Sequence, residues 1–355
     1  KRSNLLINWV FIFIFIFLFI LESLYHQTYF NSFSLYSKII LIILYYDYLT
    51  YSKKRKFFLI KFWKIFSLTI LSFSIMLFII HSLTELNIDL FNWQELLAHP
   101  KRMNIDTYSI LGKTTVRSGF LGQFTVNQSS GYFNEPLDKG IFCFLNLLII
   151  KTINKKLFSI ENNNKAWTLI TIIAGIVTFS FGFILLLTLL IIYDLLDKNQ
   201  FRIFLIFIGL ASVYPVYLLY SQSLIDIFLT TSLTDRTARL GCGLEYILNS
   251  NTSEFLFGYG PFTNCTLYNN SQGQLSTFGF SSGYSKIIVE RGITAFSMIL
   301  FFTIYLLRKN NFNIIFFLII MLIVTLLDQY YALFSLLVLY SCNKLNKKEI
   351  YKYKI

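Results

Sequence analysis

Two polar stretches of this chain hold the residues able to handle a charged, oxygen-rich substrate. The first ends in Arg117 and then Ser130-Gly131-Tyr132-Phe133-Asn134-Glu135-Pro136, where an apolar run starts at once. Proline at the first turn of a helix loses no hydrogen bond, so Pro136 marks a helix start and Glu135 becomes a helix-entry carboxylate. Two roles stay open for Glu135: a cap that stabilises the helix dipole, or a general base that removes a proton from a hydroxyl. The second stretch carries Asp235-Arg236-Thr237-Ala238-Arg239, then Phe255-Leu256-Phe257-Gly258-Tyr259-Gly260-Pro261, then Lys286 and Glu290-Arg291-Gly292. Arginine offers a planar fork matched to phosphate oxygens. Arg117, Arg236 and Arg239 are therefore candidate phosphate ligands, or else ordinary surface or carboxylate-paired arginines. Gly258-Tyr259-Gly260-Pro261 reads as a tight turn, because glycine permits positive φ and proline fixes the next φ. That turn either lines a site or only connects.

Other chemistries find little support. His26, His81 and His99 are scattered and lack ligand spacing, and the four cysteines show no metal pattern. No metal or cofactor is expected. Cys242 and Cys265 share the second polar stretch and can pair only in an oxidising compartment; otherwise they are two thiols. The N-x-S/T triplets at Asn127, Asn251, Asn264 and Asn269 are expected by chance in a chain this rich in asparagine. There is no P-loop and no glycine-rich nucleotide loop. Asp47, Asp194 and Asp328 lie near the ends of apolar runs, so no buried relay of carboxylates like that of a proton-coupled transporter is expected.

The elements that must position these residues are apolar. The chain is 55% hydrophobic and 14% charged, with a mean hydropathy of +0.60. A helical crossing needs ~20 apolar residues, and apolar runs of that order recur along all 355 residues. Val10–Leu21 and Ile314–Val324 are apolar on every side, unlike the alternating strands of a membrane barrel. The expected fold is all-α: a single polytopic membrane domain, 1–355, with about ten transmembrane helices. Its two large extracytoplasmic loops are Ser82–Pro136 (82–136) and Ser223–Ser285 (223–285). Leu5–Leu21 follows Lys1 and Arg2 like a signal peptide, but Glu22–Phe30 has no small-residue cleavage site, so it is read as a retained span.

The net charge of +13 would suit nucleic acid, yet the basic residues gather at the ends of apolar runs. That is the positive-inside pattern, and no nucleic-acid partner is expected. The clusters are Lys1–Arg2, Lys53–Lys56, Lys151–Lys165, Lys198–Arg202, Arg308–Lys309 and Lys344–Lys354. Placing them all inside puts both polar stretches outside; Lys101–Arg102 is the exception. Lys61 and Lys64 are expected to snorkel to the inner face. Ala166–Leu196 is about thirty residues, or ~45 Å as one helix. Two short helices turning near Thr178–Gly182 fit the charge pattern best; one long tilted helix is the rival, and would send the second stretch to the cytoplasm.

Taken in order, these motifs resemble the O-antigen polymerase (Wzy-type) family within the O-antigen polymerase and ligase superfamily. The resemblance rests on Arg117 with Gly131–Pro136, on Arg236–Arg239 followed by Phe257–Gly260 and Glu290–Ile293, and on the break Thr178-Phe179-Ser180-Phe181-Gly182. It covers about Arg117–Ile304. Two departures stand out: Arg117 lies far from Gly131, and Phe181 replaces the arginine common in the break. The resemblance implies a metal-independent membrane glycosyltransferase of the bacterial inner (cytoplasmic) membrane. It would polymerise undecaprenyl-diphosphate-linked oligosaccharide repeat units into O-antigen or capsular polysaccharide, with a chain-length regulator and a flippase as partners. Glu135, Arg236 and Arg239 would be catalytic; Arg117, Gly258, Tyr259, Gly260, Glu290 and Arg291 would bind substrate.

Two alternatives remain. An O-antigen ligase usually brings a histidine in the second outer loop, and Ser223–Ser285 has none. A lipid-linked oligosaccharide flippase or other transporter would more often show an internal repeat.

Overall fold

The computed structural model describes residues 2–26, 29–50, 52–84, 106–109, 112–120, 124–131, 136–154, 164–195, 245–260, 265–269, 274–278, 283–307, 314–317 and 330–344. Glu135, Asp235, Arg236, Arg239 and the expected span Ile203–Gln222 lie outside these residues, as does most of Phe312–Leu327. The chain divides into two compact units. One comprises Lys1–Lys56 and Tyr214–Lys344; the other comprises Phe57–Val213 and Leu345–Ile355.

Helices carry the apolar part of the chain, as its hydropathy dictates. They are α1 (Arg2–His26), α2 (Tyr29–Thr50), α3 (Lys53–Thr84), α4 (Pro136–Ile153), α5 (Lys165–Ile176), α6 (Phe181–Leu195), α7 (Thr252–Phe257), α8 (Gly283–Leu307) and α9 (Tyr330–Lys344). The stretches Lys53–Ile80 and Lys286–Leu307 are long and apolar enough to cross a bilayer. Only 28% of the most apolar window of the first is buried, and Phe58, Phe62, Ile65, Phe73, Met76 and Ile79 stand exposed. A soluble core helix would bury that surface; a bilayer accepts it.

The two polar stretches add small antiparallel sheets, which the hydropathy pattern alone leaves unassigned. In the first, β1 (Asp106–Ser109), β2 (Gly112–Phe120) and β3 (Phe124–Gly131) pair in the order β1-β2-β3. Arg117 faces Val126 in this register, and the pairing shifts between Arg117 and Phe120. In the second, β4 (Cys265–Asn269) pairs with β5 (Gln274–Phe278).

In the second unit, α3, α4, α5 and α6 alternate in direction. The Trp63 indole Nε1 donates to Asn146 Oδ1 at 2.9 Å, which fixes the middle of α3 on α4. Farther along α3, Phe78 meets Phe179, beyond the end of α5. A Cβ on Gly140, in the first turns of α4, would lie 2.9 Å from Phe183 Cβ and 3.5 Å from Ser180 Cβ. At the other end of α4, Lys151 forms an ion pair with Asp194 at the end of α6. The helices α4 and α6 are therefore parallel, and α5 runs back between their ends. This is the expected hairpin: α5 and α6 turn through Val177–Ser180 rather than forming one long helix. Phe179 has a φ of 46° there. Lys64 Nζ reaches Asn164 Oδ1 at 2.6 Å, so Lys64, Lys151 and Lys165 share one end of the unit. The sheet, Pro136 and the turn share the other.

In the first unit, α1 and α2 pack together and join at Glu22 and Tyr36. Phe11 lies 5.4 Å from Phe302 and 5.6 Å from Tyr305 between ring centroids, so α8 runs antiparallel to α1. The Tyr46 ring lies 4.4 Å from that of Tyr340 of α9 between centroids, tilted by 48°, and Lys56 Nζ sits 5.9 Å over the Tyr340 ring. This unit too is sided. Lys53–Lys56 and Lys344 lie at one end, with Glu22 and Arg291 at the other.

Candidate functional site

The most constructed feature among the described residues is the docking of a short helix and turn onto a break in α8. Helix α7 starts with a full capping box. Glu254 N donates to Asn251 Oδ1 at 2.8 Å, and Asn251 N donates to Glu254 Oε2 at 2.9 Å; two orphan amides are thus satisfied reciprocally. Asn251, one of the N-x-S/T asparagines, is hence a cap. Ser253 Oγ accepts from Tyr25 Oη at 3.1 Å, and Tyr25 packs on Phe257, which ties α7 to the end of α1.

After α7 the chain enters the Gly258–Gly260 turn. Gly258 and Gly260 take φ of 78° and 103°, so both glycines are required by the backbone. The turn lies along α8 at Val289–Arg291. Tyr259 N donates to Val289 O at 2.7 Å and Gly260 N to Glu290 O at 3.1 Å. Those carbonyls are available because α8 is interrupted at Gly292, with φ 77° and ψ 170°. In an unbroken helix they would accept from residues four positions on; the turn supplies the missing donors. Thr294 Oγ1 donates to Leu256 O at 2.6 Å on the far side of the break. A Cβ on Gly258 would lie 2.5 Å from Arg291 N, so the backbones touch with no room for a side chain. Tyr246, Ile247 and Tyr259 pack over Val289. Burial, and then the Glu254 carboxylate, raise the Tyr259 phenol above its ordinary range, so it stays protonated and can donate to Tyr246 O at 3.2 Å.

Beneath this contact lies a buried charge cluster. Arg291 Nη1 pairs with Glu22 Oε1 of α1, with side chains 8% and 3% exposed. Tyr36 Oη of α2 donates to Glu22 Oε2 at 2.7 Å. Three helices thus converge one residue before the break.

Of the residues singled out in the sequence, Gly258, Tyr259, Gly260, Glu290 and Arg291 come together here. The sequence separates the turn from Glu290 by about thirty residues, and the fold brings them into direct backbone contact. Arg117 belongs to the other unit, on β2. Glu135, Arg236 and Arg239 lie outside the described residues. Glu22 and Tyr36 escaped the reading, since nothing local marks a carboxylate at the end of an apolar run as the partner of a distant arginine. The other unit holds a second concentration. Lys139 is fully buried and Asp138 nearly so, in the first turn of α4. Gly140 abuts the Thr178–Ser180 turn, where Thr178 Oγ1 donates to Gly175 O at 2.6 Å and accepts from Ser180 N at 3.2 Å. Among the described residues no cluster of His, Cys, Asp and Glu could hold a metal ion. Compared with known proteins, the chain matches no family model, no curated protein and no solved structure.

Proposed function

We propose that this protein is a membrane glycosyltransferase that joins lipid-diphosphate-linked oligosaccharide repeat units, as an O-antigen or capsular repeat-unit polymerase of the bacterial inner membrane does. The observation that carries the reading is the docking of Gly258–Gly260 on Val289–Gly292. Two pieces of the motif order that resembles the polymerase family form one structural unit, at the end of the first unit opposite Lys53–Lys56 and Lys344. The alternating helices and sided charge of both units support about ten spans, with the two polar stretches on the outer face.

In the proposed reaction an acceptor hydroxyl attacks the anomeric carbon of the growing glycan. The bond from that carbon to the diphosphate breaks, and the lipid diphosphate leaves with the electron pair. Charge develops on the leaving group, where preorganised cations in a site of low dielectric have most effect. Arg236, Arg239 and Arg117 are assigned that role. Glu135, immediately before α4, takes the hydroxyl proton. Gly258, Tyr259, Gly260 and Glu290 border the groove for the sugar. The donor already carries an activated diphosphate, so nucleotide sugar is not consumed.

The test is reconstitution. Purified protein in liposomes, given lipid-linked repeat units alone, is expected to produce a glycan ladder with release of lipid diphosphate. Single units left unchanged, under conditions where the protein is folded and inserted, would overturn the assignment.

A further inference from the structure

The geometry points to Glu22 and Tyr36 as positioning residues that act through Arg291. They lock the break in α8 and so hold the Gly258–Gly260 turn in place; Arg291 is the anchor of that lock rather than a ligand for the substrate's phosphates. This assignment rests on the polymerase reading for its catalytic consequence, but not for its structural one.

The argument begins with Arg291. Its position directly before Gly292 makes it the last helical residue ahead of the break. Its guanidinium is buried against the Glu22 carboxylate, and the second carboxylate oxygen is held by the Tyr36 hydroxyl. Nearly all of the forked surface that would serve a phosphate is out of reach of solvent. Meanwhile the Arg291 backbone forms the floor under Gly258, and the neighbouring carbonyls of Val289 and Glu290 hold the turn. Fixing the side chain of residue 291 to α1 and α2 therefore fixes the peptide planes on which the turn docks. A glycine at φ 77° has wide freedom of its own. Something outside the helix must select one geometry, and the buried pair does so. Tyr25 supplies a second, weaker tie from the same end of α1, through Ser253.

Two readouts test this. The first is hydrogen–deuterium exchange of the full-length protein in lipid nanodiscs. In Glu22→Gln, peptides containing Tyr259 and Gly260 are expected to exchange roughly tenfold faster or more, as loss of a charge-assisted bond implies. The milder Tyr36→Phe should shift the same peptides less. Tyr36→Phe keeps the ion pair and the ring, so it remains informative if Glu22→Gln fails to insert. Unchanged exchange at these peptides in every variant that inserts would overturn the lock.

The second is kinetic, with lipid-linked repeat units as substrate. Glu22→Gln and Arg291→Gln should both lower kcat with little change in KM, and the double variant should be no worse than the worse single one. A phosphate ligand behaves differently: Arg291→Gln would raise KM, while Glu22→Gln would free the guanidinium and leave KM unchanged or lower it. That pattern would also overturn the assignment. An inactive wild type with faster exchange in Glu22→Gln would sink the polymerase reading and leave the lock standing.

Discussion

The carbonyl oxygen of Leu256 occupies the space that a Cβ on Gly292 would need. This contact, across 36 positions of sequence, explains why a glycine interrupts a helix that is otherwise apolar enough to cross a bilayer. It also makes the turn and the break one object. Gly258 and Gly292 both sit near φ 78° with ψ close to 180°, a region where any other residue costs about 1–3 kcal/mol. Gly258→Ala and Gly292→Ala are each expected to lower the Tm of the purified protein in detergent. Both disrupt the same interface, so the double variant should fall short of the sum. Fully additive shifts would mean that the turn and the break are independent.

The parallel arrangement of α4 and α6 brings the end of α6 to the same end of its unit as the end of α4; in the proposed topology the second polar stretch is then extracytoplasmic. The ion pair of Lys151 with Asp194 and the approach of Gly140 to Ser180 require the chain to return between them. Single cysteines at Asn127 and Asn270, introduced after replacing the native cysteines, should both react with an impermeant maleimide from outside the cell. Labelling at 127 with none at 270 would show that the path after α6 crosses the membrane one time fewer than proposed.

Local backbone chemistry was legible in the sequence, and long-range partnership was not. Pro136 begins α4 as its N1 preference dictates. The break expected near Thr178–Gly182 falls at Val177–Ser180, where Thr178 and Ser180 interrupt the apolar run, and the Gly258–Gly260 turn follows from its glycines. The Glu22–Arg291 pair joins residues 269 apart, and no local pattern encodes that. From sequence Glu290-Arg291-Gly292 reads as the opening of a span, yet α8 begins nine residues before Gly292, at Gly283. A lone glycine in an apolar helix is compatible with both readings. The strands of the first polar stretch had a signal in Thr114-Thr115-Val116, β-branched residues suited to a pleated surface. Composition drowned it, because the hydropathy contrast between loop and span dominates everything shorter.

The arginines of the second stretch should be the most sensitive positions for activity. Arg236→Ala and Arg239→Ala are expected to abolish polymer while leaving protein abundance unchanged. Losing one well-placed donor to developing charge costs on the order of 3 kcal/mol, more than a hundredfold in rate. Lysine should rescue poorly, since an ammonium cannot present the bidentate fork. Full-length glycan from both alanine variants would remove them from the site, and a loss of tenfold or less would make them positioning groups.

Glu135 separates a cap from a base by a single substitution. It directly precedes Pro136 and α4, where a carboxylate lowers the energy of the helix by interacting with its dipole. That contribution is about 1 kcal/mol or less, and Gln retains part of it through its carbonyl oxygen. A base is different in kind, because an amide does not accept the hydroxyl proton at neutral pH. Glu135→Gln is therefore expected to give inserted protein with nearly unchanged Tm that leaves single repeat units unpolymerised. Glu135→Asp, which keeps the carboxylate but shortens its reach, should retain partial activity. The two effects are read on the same preparation, by thermal unfolding and by the glycan ladder. A near-normal ladder from Glu135→Gln would assign this residue to helix capping. The proton acceptor would then lie among Asp235, Glu245 and Glu290, of which Glu290 is already held at the break by its carbonyl contact with Gly260.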